Sequence, residues 1–111
     1  MPVLIRHRAA MSAAQYDESA PALIELLKKQ PGFLVHVAYE DADGFVVGEV
    51  WETQEQHDTW FEANVKPNVP FEITQEVIDL HSVVAEVDLK PTHLAAELFR
   101  RWVETGQKSV L

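Results

Sequence analysis

Between Gly44 and Trp60 the chain reads GFVVGEVWETQEQHDTW, and this stretch limits the choice of fold more than any other. Phe45 to Trp51 is rich in β-branched and aromatic residues and follows the turn sequence Asp41-Ala42-Asp43-Gly44, which predicts the second strand of a hairpin. The strand is cut off at Thr53, whose hydroxyl can accept a backbone N–H at a helix start, and Gln56 lies where its side chain can close a capping box. Helical periodicity then extends to about Val65. A buried strand that runs straight into a capped helix turns its apolar side toward that helix. A cavity between the two layers would be lined by Trp51, Trp60 and their neighbours.

The flanking segments fit around this unit. Val3 to Arg8 is a short strand, apolar at its start. Ser12 with Gln15 forms a capping box opening a helix that carries Tyr16, Leu23, Ile24, Leu26 and Leu27, and Pro21 predicts a kink or break within it. Pro31-Gly32 ends that element. Phe33 to Glu40 alternates as a strand, with Phe33, Val35, Val37 and Tyr39 on one face and Leu34, His36 and Ala38 on the other. Lys66-Pro67-Asn68-Val69-Pro70 is a covering loop, since two prolines exclude regular structure, and Gln75 to Ala85 returns to strand alternation. The order strand, helix, strand, strand, helix, strand predicts an α+β, ferredoxin-like fold: a four-stranded antiparallel sheet with both helices on one face. Residues 1–87 form this domain. Residues 88–111 are an extension in which Leu94, Leu98, Phe99, Trp102 and Val103 make the apolar stripe of a final helix.

A chain of 111 residues supports one core, and its formal net charge of −9 repels phosphate backbones and anionic lipid, which excludes nucleic acid and membrane as partners. There is no cysteine, hence no disulfide, thiol nucleophile or thiolate metal site. The first ten residues lack the apolar core of a signal peptide, so a cytoplasmic location is expected. Both faces of the predicted sheet carry apolar residues. Helices cover only one, so the other predicts a homodimer packed face to face. A monomer whose final helix folds over that face is the competing solution.

Several side chains qualify for chemistry. His7, at the end of the first strand, could act as a general base, although a strand-end histidine between Arg6 and Arg8 is also an ordinary surface residue. His36 and His81 alternate onto the dimer face with Arg6 and Asp79. There they form either a polar site or a hydrogen-bond network that fixes the register, and a slip of one residue would move either into the cleft. Trp60 is core packing or a flat wall for a polycyclic substrate. Tyr16 could bond a ligand in the cleft. No metal site is expected: none of His7, His36, His57, His81 and His93 has the helical spacing that brings two imidazoles onto one ion.

Pro31-Gly32-Phe33, Asp43-Gly44-Phe45, Val50-Trp51-Glu52-Thr53 and Trp60 together resemble the dimeric α+β-barrel superfamily, in the branch of antibiotic biosynthesis monooxygenases. The likeness spans about Val3 to Val84. It implies oxidation by molecular oxygen as co-substrate with no metal or flavin cofactor, a homodimer, and a small aromatic or quinol-like ligand between sheet and helices. Trp60 also matches a position of heme-degrading relatives. Those relatives have an asparagine where this chain has His7, and a heme-binding histidine at or near Pro70, so heme degradation is not implied. Under the resemblance His7, His36 and Trp60 are candidates for catalysis, and Tyr16, Trp51, Asn64, Phe71 and His81 for ligand binding. The alternative is a non-catalytic dimeric module that binds a small hydrophobic ligand, or another protein through its final helix.

Overall fold

Alternation along the first strand, β1 (Val3–Ala9), buries Val3, Ile5 and His7 and leaves Leu4, Arg6 and Arg8 on the opposite face. That division runs through the whole sheet. The computed structural model describes residues 1–84, so the expected C-terminal helix and the boundary at residue 87 lie outside the described residues. The elements are β1, α1 (Ala13–Leu27), β2 (Phe33–Asp41), β3 (Gly44–Trp51), α2 (Gln54–Trp60), a π-helical continuation over Phe61–Val65, and β4 (Ile73–Asp79). The strands pair antiparallel in the order β2-β3-β1-β4, the ferredoxin-like arrangement that the sequence predicts.

Helix α1 opens on the full capping box, with Ser12 Oγ accepting from the Gln15 N–H at 3.2 Å and the Gln15 side chain accepting from the Ser12 N–H at 2.8 Å. No break occurs at Pro21. The helix runs through it to Leu27, because proline removes a single backbone bond while the buried Ala20 and Leu27 hold the turns on either side. Thr53 caps α2 as expected, but the Gln56 side chain meets the Thr53 hydroxyl at 3.1 Å rather than the backbone, so only half of the predicted box forms.

Two strand readings change. β4 starts at Ile73 and ends at Asp79, short of Ala85, because its partner β1 begins at Val3, which pairs with Asp79; a last bond from the Leu80 N–H to the Pro2 carbonyl closes the ladder. In β2 the register shifts between Phe33 and Val35: Phe33 pairs with Trp51, yet Val35 pairs with Val50 and His36 with Glu49. Leu34 is the extra residue of this bulge. Strict alternation therefore fails by one position, and His36 faces the helices instead of the face expected to pack in a dimer.

The core between sheet and helices is Val3, Ile5, Leu27, Phe33, Trp51 and Trp60, with Leu23, Phe61 and Val65 packed against it. Trp51 is fully buried, edge-on to Phe33. The other face of the sheet carries Leu4, Val35, Val37, Tyr39, Val50 and Ile78, of which Val37 and Tyr39 are exposed. No helix among the described residues is long and apolar enough to cross a membrane.

Candidate active site

The bulge in β2 has a direct consequence for the site. It sets His36 opposite Glu49 on β3, and the His36 Nδ1–H donates to Glu49 Oε2 at 2.8 Å. On the other side of the ring, His36 Nε2 accepts from the Tyr16 hydroxyl of α1 at 2.7 Å. Because a carboxylate can only accept, the hydrogen of a neutral His36 sits on Nδ1 and Nε2 keeps its lone pair. Tyr16, His36 and Glu49 thus form a continuous relay from helix to sheet. Glu49 is anchored further by the Trp51 Nε1–H, 3.0 Å from Oε1.

Burial works against the charge on Glu49, but the bonds from His36 and Trp51 and the neighbouring His7 outweigh it and hold the carboxyl below its usual range. Burial pushes the Tyr16 phenol up, and the Glu49 charge adds to that. Burial likewise holds His7 below the ordinary imidazole value, with Glu49 pulling the other way.

These groups stand on the wall of an apolar cavity of about 100 Å³ between the sheet and α1, bounded by Leu23, Trp60, Phe61 and Val69. Its volume is below the roughly 150 Å³ that encloses one benzene ring, and it opens to solvent at its rim. His7 reaches the same wall from β1. Its ring stacks on Phe61 at 5.5 Å, and its Nε2 meets Nε2 of His57 at 2.8 Å.

Of the residues singled out from the sequence, the structure brings His7, Tyr16, His36 and Trp60 together in this cavity. His7 is buried rather than on the surface. Trp51 lies in the core beneath, bonded to Glu49 and edge-on to His57 at 5.8 Å. Asn64 turns its amide back to the Trp60 carbonyl at 3.3 Å. Phe71 lines a separate groove with Asp58, Glu62 and Lys66. His81 is exposed beyond the end of β4.

Two residues of the cluster escaped the sequence reading. Glu49 had a signal, a lone carboxylate at an inward position of an otherwise apolar strand. His57 lies three residues before Trp60 and four before Phe61, on one helix face with them, and is fully buried. Spacing along the chain cannot reveal that His7, Glu49 and His57, from separate elements, place their ligand atoms within 4.8 Å of one another.

A family model described as antibiotic biosynthesis monooxygenase matches residues 8–65, and the chain belongs to that family. No curated protein matches it. Among solved structures, Rv0793 from Mycobacterium tuberculosis is 17% identical with a TM-score of 0.56, covering 77% of this chain and 100% of that one. SnoaB from Streptomyces nogalater, described as a cofactor-independent oxygenase, is 13% identical with a TM-score of 0.54, covering 77% and 97%. A conserved protein from Methanosarcina mazei Go1 is 13% identical with a TM-score of 0.53, covering 68% and 91%. At these identities the likeness is one of fold.

Proposed function

We propose that the protein is a monooxygenase that uses molecular oxygen to oxidise a small phenolic or quinol-like aromatic in the cavity between sheet and helices, without flavin or metal in the reaction. The observation that carries this is His36, held between Glu49 and the Tyr16 hydroxyl at the wall of an otherwise apolar cavity. Glu49 orients the imidazole and stabilises the positive charge it acquires on taking a proton. The proton comes from the substrate hydroxyl, either directly or through Tyr16. Deprotonation makes the ring electron-rich, so the substrate itself supplies the electrons that reduce oxygen. One oxygen atom enters the product and the other leaves as water. Trp60 and Phe61 supply flat walls, and the low polarity around them favours the reaction of a neutral, apolar co-substrate.

The test is oxygen uptake by chelator-treated protein with a panel running from single-ring hydroquinones to tricyclic anthrones. Uptake is expected, and reduced in Trp60→Phe through a raised KM. Absence of uptake with every member of the panel overturns the reading.

A further inference from the structure

His7 and His57 share a contact that neither can complete alone. Their Nε2 atoms, one on β1 and the other on α2, are 2.8 Å apart. Each ring is fixed from behind: His7 Nδ1 lies 3.3 Å from the Val47 carbonyl oxygen and His57 Nδ1 lies 2.9 Å from Asp58 Oδ1. Carbonyl and carboxylate oxygens accept and do not donate, so in the neutral rings each Nδ1 carries the single hydrogen. Both Nε2 atoms then present lone pairs to each other. They do so where His57 is 0% and His7 7% exposed, leaving no room for solvent to relieve the repulsion. A positive species belongs between them, and Glu49 already brings a buried carboxylate oxygen within 4.8 Å of a ring nitrogen of each histidine.

We propose that His7, His57 and Glu49 bind a divalent first-row transition ion such as Zn²⁺. Two neutral imidazole nitrogens and one carboxylate oxygen are a donor set that such ions favour. The backing is also that of a metal site, since a ligating histidine nearly always gives its other N–H to a carbonyl or carboxylate. Zn–N distances of about 2.0–2.1 Å place two nitrogens roughly 3.4 Å apart at a tetrahedral angle, so the rings need part by only about 0.6 Å. Phe61 stacks on both rings, at 5.5 and 5.7 Å, and keeps the site dry on that side. His7 and Glu49 also face the cavity, which leaves the remaining coordination positions open to a water or ligand atom. Glu49 is shared with His36, so a bound ion draws on the charge that supports the proposed base; the site acts as a brake on oxygen uptake rather than as its motor.

The experiment needs no substrate and so stands apart from the oxygenase reading. The chelator-treated full chain is titrated with Zn²⁺ by calorimetry, and ¹⁵N NMR of its imidazoles follows where the ion goes. The expected result is one ion per chain, loss of about 100-fold or more in affinity in His57→Gln, and zinc-induced shifts at Nε2 of His7 and His57 with His81 unaffected. The NMR measurement on the unaltered protein decides the matter even where His57→Gln fails to fold. Absence of binding, shifts confined to other histidines, or a proton shared between the two Nε2 atoms that zinc does not displace overturns the proposal.

Discussion

His36 and Glu49 stand directly opposite each other on β2 and β3, and the imidazole Nδ1 is 2.8 Å from the carboxylate Oε2. That pairing exists because Leu34 is extruded as a bulge, which rotates the rest of β2 by one residue relative to simple alternation.

Changing Glu49 to Gln keeps the shape but removes the charge that steadies a protonated His36. The expected outcome is a fall in kcat of roughly 10- to 100-fold with KM little altered, read from steady-state oxygen uptake, since general-base catalysis contributes about 10²–10⁴-fold in all. An unchanged kcat would remove Glu49 from the mechanism.

Tyr16 predicts an alkaline effect on stability. Its phenol is raised in the fold by burial and by the Glu49 charge, so the folded state holds that proton more tightly than the unfolded chain does. The associated stability is fully present below the ordinary tyrosine value of about 10 and is lost as pH rises through the folded value. Thermal melts between pH 9 and pH 12 should decline more steeply in the wild type than in Tyr16→Phe. Parallel curves would contradict the assignment.

Gly32 sits at φ +89°, and a Cβ there would run into the Gln56 side chain beside the α2 cap. Gly32→Ala therefore combines left-handed backbone strain with displacement of Gln56. A loss of about 1–3 kcal/mol is expected from urea unfolding. A neutral effect would mean that the turn before β2 can relax.

The sheet face that no helix among the described residues covers predicts self-association. Val37 and Tyr39 are exposed there beside Leu4, Val50 and Ile78, and Arg6 Nε is buried on this face without a hydrogen-bond partner among the described residues. Light scattering should give twice the chain mass of 12.6 kDa, and Val37→Asp should give the monomer. A wild-type monomer at micromolar concentration would refute the interface.

The sequence was legible wherever the determinants are local. Capping at Ser12 and Thr53, the Asp41 to Gly44 turn and the apolar, β-branched runs at Val3 to Arg8 and Phe45 to Trp51 gave the elements and their order. It was illegible wherever a non-local contact decides. Alternation cannot reveal that Leu34 is skipped, so His36 was read onto the wrong face. The end of β4 depends on where β1 begins, and the meeting of His7 with His57 depends on how α2 lies on the sheet. Glu49 was missed although its signal is local, since a carboxylate inside an apolar strand is itself a sign of buried partners.

His36 as the base of an oxygen-consuming cavity is tested by oxygen consumption of chelator-treated protein with a single-ring hydroquinone, wild type beside His36→Gln, with both folds checked by circular dichroism. Uptake by the wild type and a fall of about 10²-fold or more in the variant are expected; equal rates in two folded proteins, or none in either, would remove His36 from that role.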